Sequence, residues 1–235
     1  FVLAAELRAH GVDFSFTPVL DLDWGRSGVI GDRAFHADPR VVTLLAAHFM
    51  HGLALAGMAN CGKHFPGHGW AEADSHVALP SDGRDRGTLL AADAAPYRWL
   101  GVQLCSVMPA HVVYAAVDAA PAGFSRPWID TLRGELGFTG AVFSDDLLME
   151  GAAAAGSVLQ RARTAFRAGC DLVLVCNDLD AMDDVLAGLA WRRTRAFTQR
   201  YARLVPRGPA PQMSELRALQ TYRAALDDVA RLGDA

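Results

Sequence analysis

The side chains best suited to chemistry fall in two short stretches. The first is Gly62-Lys63-His64-Phe65-Pro66-Gly67-His68-Gly69, which runs into a polar loop ending Asp74-Ser75-His76. It puts one cation, three imidazoles and a carboxylate within fourteen positions of a glycine- and proline-interrupted segment, and titratable groups crowded onto irregular backbone point to chemistry more than to packing. Asp74 and His76 stand two apart, the spacing that brings two side chains to one side of an extended segment. A carboxylate on one imidazole nitrogen leaves the other able to give or take a proton near neutral pH, although a solvated, idle pair has the same spacing. Lys63 closes an otherwise apolar strand and therefore needs a carboxylate or a polar ligand. A salt bridge to Asp21, Asp23 or Asp145 would satisfy it, and a cation beside a carboxylate nucleophile also keeps that nucleophile ionised. The second stretch, Ala141-Val142-Phe143-Ser144-Asp145-Asp146, ends in two adjacent carboxylates. Strand neighbours face opposite ways, so one of the two enters a shared pocket and the other is available to cap the following turn; the pattern alone does not choose between them. A third candidate is Arg33 in Ile30-Gly31-Asp32-Arg33-Ala34-Phe35, able to fork onto a hydroxylated or anionic ligand and otherwise a surface arginine.

The elements that position these groups alternate. A helix from Phe1 stops near His10-Gly11, and 12–20 has the alternation and β-forming residues of a strand. Asp38-Pro39 opens a helix with an N-cap and a proline at the first position, running to Gly57. Strands follow at 58–64, 102–108, 140–144 and 171–176. Between them lie helices over 89–99, from Ser125-Pro127 to Gly137, and from Ser157 to Gly169; 179–189 and 214–232 read as helices on the closing side. Five strand–helix units with apolar strands define a parallel α/β architecture, either an open doubly wound sheet or a barrel. Asp21, Asp23, Lys63, His64, His111, Asp145, Asp146 and Asn177 sit at the carboxyl ends of successive strands, a distribution that favours a barrel rim over a single switch point. The 66–80 loop is long for a connection in such a fold and reads as functional, with Pro66 to Gly69 as its hinge.

The chain is 235 residues long, 51% hydrophobic and 20% charged, with a formal net charge of -4. It reads as one domain, 1–235. There is no basic stripe for nucleic acid or an anionic membrane, and no apolar run approaches the ~20 residues that span a bilayer. Cys61, Cys105, Cys170 and Cys176 stand singly in apolar segments, as buried thiols of a reducing compartment do, with no CxxC pair for zinc. The first residue is Phe1, not Met, so the sequence reads as a piece of something longer.

Taken in order, PVLDLD with IGDRAF, GKHFPGHG with ADSH, MPAHVVY and GAVFSDDLLMEGA resemble glycoside hydrolase family 3, specifically its single-domain bacterial β-N-acetylhexosaminidases. The resemblance covers nearly the whole chain. It implies a (β/α)8 TIM barrel, of which five of the eight units are present, and removal of terminal β-linked N-acetylglucosamine with retention of configuration, without a cofactor or metal. It further implies that Asp145 is the nucleophile that forms a covalent glycosyl-enzyme, that His76 is the general acid and then base with Asp74 as its partner, and that Arg33, Lys63 and His64 hold the sugar. Family context implies a monomeric cytoplasmic enzyme acting on a small carbohydrate or muropeptide substrate in peptidoglycan recycling, with neither nucleic acid nor membrane as a partner. The departure is in length: three β/α units, with the family's VDQEGG-type segment, are expected ahead of Phe1. That leaves a catalytically impaired sugar-binding remnant as the alternative to an enzyme, and a metal-dependent hydrolase with His64, His68, Asp74 and His76 as ligands as a more distant rival. His68 otherwise reads as structural, and phosphate stands beside water as an acceptor.

Overall fold

A computed structural model of the chain describes residues 1–72 and 79–233. Its centre is a parallel four-stranded sheet built from β1 (Cys61–Phe65), β3 (Ser106–Pro109), β5 (Ala141–Asp146) and β6 (Leu172–Leu174), hydrogen-bonded in that order. Each strand pairs with the next parallel strand along the chain, with no reversal of order. This is the habit of a barrel wall and removes the doubly wound alternative, which requires a switch point. The residues around 17–20 extend the wall on the other side of β1: Cys61 and Lys63 donate to the carbonyls of Thr17 (2.8 Å) and Pro18 (3.2 Å), and Leu20 donates to Lys63 O (2.7 Å). The strand expected over 12–20 is reduced to isolated bridges at Phe14 and Val19; Pro18, in its middle, has no N–H to contribute to a ladder.

Two apolar layers lie on the two sides of the strands. On the inner side Cys61, Met108, Ala141 and Phe143 pack with Phe14 and Phe16; the three phenylalanine rings stand 5.1–5.6 Å apart. On the outer side Leu20, Phe65, Val107 and Val142 pack with Tyr97 and Trp128 from the surrounding helical layer and with Leu104, which leads into β3. Burial on both faces explains why these strands read as continuous apolar runs.

The helices begin where local chemistry placed them. Asp38 caps α2 (Pro39–Leu55), accepting from Arg40 N at 2.8 Å. Ser125 caps α5 (Arg126–Asp130), which continues through a wider turn at Thr131–Glu135. Ser157 and Gln160 form a capping box on α6 (Val158–Ala168), which ends on left-handed Gly169. The first helix, α1, is Val2–Ala9, and α7 is Leu179–Gly188. Three expectations are revised. The helix placed at 89–99 is two, α3 (Arg86–Ala91) and α4 (Ala95–Leu100), separated where the fully buried Asp93 turns its side chain toward Trp24 and Arg84. The helix at 214–232 is also two, α9 (Met213–Ala218) and α10 (Gln220–Gly233), and α8 (Arg195–Tyr201) was not anticipated. A two-residue ladder pairs β2 (Ser81–Asp82) with β4 (Val113–Tyr114). Among the described residues no helix is long and apolar enough to cross a membrane.

Candidate active site

Strand alternation resolves the adjacent carboxylates. In β5, Ala141 and Phe143 face the inner layer, so Asp145, two further on, faces the same way and Asp146 the opposite way. Asp146 Oδ1 accepts from the backbone N–H of Leu148 (3.0 Å) and Cys176 (3.2 Å), the work of a turn cap. Asp145 Oδ1 accepts from Asp146 N at 2.9 Å, which fixes the nucleophile candidate against its own backbone. On β1 the same alternation groups Lys63 with inner-facing Cys61, opposite Met108 of β3. The Cys61 thiol registers both groups: burial pushes it up to about 12, with Lys63 acting against that rise and Asp145 adding to it. Lys63 and Asp145 therefore share the inner face at the carboxyl ends of β1 and β5. Among the described residues Lys63 forms no ion pair within 4.0 Å with Asp21, Asp23 or Asp145.

Asp21 is engaged elsewhere. It is fully buried, and its Oδ2 accepts from His64 Nδ1 at 2.7 Å while Oδ1 accepts from His68 N at 2.7 Å; the backbone N–H of His64 lies 3.2 Å from both oxygens. Burial alone would raise the Asp21 carboxyl, but the charge and hydrogen bond of His64, with His68, outweigh it and hold the group below the ordinary carboxylate range. His64 thus points Nδ1 at Asp21, which leaves Nε2 as the ring nitrogen open to a ligand. The His68 ring is 2% exposed, stands 5.9 Å from the His64 ring, and is pushed down in pKa by burial against the pull of Asp21. His68, assigned only a structural part from the sequence, is a direct neighbour of the sugar-holding candidates.

The turn 66–69 does not behave as a hinge. A Cβ on Gly67 would lie 2.6 Å from Asp93 Cβ, and one on Gly69 would lie 1.9 Å from the Leu22 carbonyl oxygen. With His68 N on Asp21 and Gly67 O accepting from Tyr114 (2.8 Å), the turn is clamped on all sides. His111, at the end of β3, is fully buried; its Nε2–H donates to Asp146 O at 3.2 Å, its Nδ1 has no hydrogen-bond partner among the described residues, and burial pushes its pKa down.

Of the six site residues expected from the sequence, Lys63, His64 and Asp145 stand at the carboxyl ends of β1 and β5, with β3 between them. Arg33 sits apart in an exposed 3-10 turn, Gly31–Arg33, folded back so that Nε (3.0 Å) and Nη2 (2.6 Å) donate to Val29 O. Asp74 and His76 lie outside the described residues, and with them two of the four ligands of the metal alternative. Sequence reasoning overlooked Arg84, Asp82 and Asp93, a buried ion cluster beside the 66–69 turn. One signal was available: Asp93 is the only charge in the apolar run Leu-Leu-Ala-Ala-Asp-Ala-Ala-Pro-Tyr.

The chain is an arc of parallel barrel with an inward aspartate, a lysine and a histidine at its carboxyl rim, the end at which barrels of this class build their ligand sites. Comparison with known proteins makes this specific. The chain matches the glycosyl hydrolase family 3 N-terminal domain over residues 1–204 and belongs to that family. It is 60% identical over 227 residues to the beta-hexosaminidase of Bordetella avium, covering 96% of this chain and 64% of that protein. With the beta-hexosaminidase of Thiobacillus denitrificans it is 55% identical over 236 residues, 99% of this chain and 66% of the relative. Among solved structures, NagZ from Neisseria gonorrhoeae in complex with N-trifluoroacetyl-D-glucosamine superposes with a TM-score of 0.90 at 46% identity, covering 98% of this chain and 67% of that one. The chain thus spans just under two thirds of the length of the first of these curated relatives.

Proposed function

We propose that this chain forms the larger part of the catalytic unit of a retaining β-N-acetylhexosaminidase. The observation that supports this most is the inward placement of Asp145 on the face it shares with Lys63, in a chain that belongs to glycosyl hydrolase family 3. Asp145 attacks the anomeric carbon while His76 gives its proton to the glycosidic oxygen; the bond to the aglycone breaks with its electron pair on that oxygen, leaving a glycosyl-aspartate ester. His76, now neutral, takes a proton from water, whose oxygen displaces Asp145 and restores the original configuration. Asp74 orients the imidazole. Lys63, His64 through Nε2, and Arg33 after leaving Val29 O bind the sugar hydroxyls. Substrate, location and assembly follow the same reading: N-acetylglucosamine removed from muropeptides in peptidoglycan recycling, by a cytoplasmic monomer. The similarity to a structure holding N-trifluoroacetyl-D-glucosamine supports the sugar.

The test is hydrolysis of a chromogenic β-N-acetylglucosaminide followed by NMR of the first-formed anomer, with mass spectrometry of the trapped intermediate. The reading requires the β anomer and a sugar adduct on the peptide containing Asp145. An α product, or an adduct elsewhere, overturns it. A sugar 1-phosphate formed in phosphate buffer would make phosphate the acceptor, and binding of N-acetylglucosamine without turnover would convert the enzyme into the sugar-binding alternative.

A further inference from the structure

One histidine of the rim has no part in the chemistry above. His111, just past the end of β3 in the run Met108-Pro109-Ala110-His111, is fully buried. The backbone on either side of it is fixed: Ala110 N donates to Phe65 O (2.8 Å), Gly123 N to Ala110 O (3.2 Å) and Ala122 N to Val112 O (3.0 Å). The ring lies 5.0 Å from that of Phe124, and a Cβ on Gly123 would stand 3.6 Å from its Cε1 and Nδ1, so the ring is packed on that side as well. Its Nε2–H crosses to Asp146 O at 3.2 Å. A carbonyl oxygen only accepts, so the proton is on Nε2. Burial pushes the imidazole down in pKa, and Asp145 is the strongest influence opposing that fall. A buried ring whose Nδ1 has no hydrogen-bond partner among the described residues is costly to keep, so the single bond it does make calls for a purpose.

That bond falls where the sheet no longer holds itself. Among the described residues the β3–β5 ladder pairs Ser106 with Ala141 and Val107 with Val142 and ends there; His111 bridges the two strands beyond it, at the carboxyl rim. Its acceptor, Asp146, is the junction of the rim. Asp146 O also accepts from Met149 N (3.2 Å), and Oδ1 accepts from Leu148 N (3.0 Å) and, from the end of β6, Cys176 N (3.2 Å). The N–H of the same residue donates to Asp145 Oδ1 at 2.9 Å, while Asp145 Oδ2 accepts no hydrogen bond among the described residues. We infer that His111, acting through Asp146, is a positioning residue for the nucleophile: it holds the residue whose N–H occupies Oδ1 of Asp145, so that Oδ2 is the oxygen that attacks. Attack forms the bond from Oδ2 to the anomeric carbon as the bond to the aglycone breaks with its electron pair on the aglycone oxygen, which takes the proton of the general acid. Oδ1 becomes the ester carbonyl oxygen and stays on the Asp146 N–H. The inference rests on the proposed role of Asp145 as nucleophile.

The experiment measures kcat/KM for β-N-acetylglucosaminides with dinitrophenyl and phenyl aglycones, and calorimetric affinity for N-acetylglucosamine, using the full-length gene product and variants His111→Leu, His111→Phe, His111→Gln and Asp145→Ala. His111→Leu removes the donor and should lose about 10²-fold in kcat/KM, the scale of an ångström-level misplacement. The loss should be the same on both substrates, because attack is impaired and protonation is not, and affinity for the free sugar should stay within a few-fold of wild type. His111→Gln, whose amide offers an N–H donor in place of Nε2–H, should recover most of the loss. His111→Phe keeps a ring against Phe124 without a donor; it should lose as much as His111→Leu and carries the test if that variant does not fold. If Asp145→Ala turns over as fast as wild type, the nucleophile assignment itself fails. If Asp145→Ala is inactive, the positioning role is overturned by any of four results in the Leu and Phe variants: wild-type kcat/KM, a loss confined to the phenyl substrate, a matching loss of sugar affinity, or no recovery in His111→Gln.

Discussion

Replacing Asp21 tests the electrostatics of the site most directly. Two of its contacts are short and charge-assisted, to His64 Nδ1 and His68 N, each 2.7 Å, and such bonds contribute about 1.5–3 kcal/mol apiece. Asp21→Ala strands both donors in a buried setting and should cost about 3–5 kcal/mol, lowering Tm by roughly 6–20 °C for a chain of this size. Asp21→Asn is milder: its oxygen can still accept from His68 N and its amide can donate to His64 Nδ1 in the tautomer that carries the proton on Nε2, so two charge-assisted bonds become neutral ones at a cost of about 1–3 kcal/mol. The pH dependence separates charge from shape. The folded carboxyl lies below its ordinary value, so its ionic stabilisation is fully present above the unfolded pKa of about 3.9 and is lost as pH falls through the folded pKa. Urea midpoints of wild type and Asp21→Asn should therefore draw apart between about pH 6.5 and pH 4, because loss of Asp21 lets the already depressed His68 pKa fall further, and converge below about pH 4 as the Asp21 carboxyl is protonated. Depressed Asp38 and Asp85 are common to both proteins and cancel in the difference. A gap as wide in acid as at neutrality would refute the claim that Asp21 is held ionised by its histidines. With His64 loosened, KM for an N-acetylglucosaminide should rise more than kcat falls.

Other perturbations have sharper geometry. His76→Ala should lose about 10²–10⁴-fold in turnover on unactivated glycosides and far less on activated ones, whereas Asp145→Ala, which removes the covalent route, should cost more on both; equal losses across leaving groups for His76→Ala would contradict the acid role. Gly69→Ala drives a Cβ to 1.9 Å from a backbone oxygen, while Gly134 has nothing within 4 Å. The first should destabilise by about 3 kcal/mol and the second stabilise by about 0.4–1 kcal/mol through the unfolded chain, a contrast that thermal melts read directly. Asp171 accepts from Arg133 and Arg200 at 2.7 Å each and from Val142 N at 2.9 Å. Its replacement by Ala should cost about 3–5 kcal/mol without altering kcat per folded molecule, and a specific loss of kcat would show that this cluster reaches the site.

What could be read in the sequence was what short-range chemistry decides. The Asp38-Pro39 and Ser157 starts and the Gly169 stop satisfy helix ends within a few residues, and 140–144 is apolar enough to be recognised as a buried strand without its neighbours. What could not be read was decided by contacts far apart in the chain. Asp145 and Asp146 are equivalent until Phe143 is found among Phe14 and Phe16. Asp21 meets His64 across 43 residues. The run 89–99 breaks where Pro96, at the start of α4, has no N–H to continue the ladder, and Asp93 is drawn at the same point toward Trp24 and Arg84. The ladder of β2 and β4 has two residues per strand, too few to carry a period.

The same distinction changes the meaning of the glycines in Pro66-Gly67-His68-Gly69. In sequence they signal freedom, and a loop hinge is the natural reading. In the fold they signal lack of space: Gly67 abuts Asp93, Gly69 abuts the Leu22 carbonyl, and His68 between them is fastened to Asp21. Asp21 also holds His64, and Asp93 also holds Arg84. The four-residue turn therefore joins two buried carboxylates, one holding His64 of the proposed sugar site and the other held by Arg84 and Trp24. A substitution on either carboxylate should be felt at the other, so the losses of stability in Asp21→Asn and Asp93→Asn should fail to add in the double variant. Strict additivity would mean that the turn isolates the two carboxylates and that each glycine is there for local fit alone.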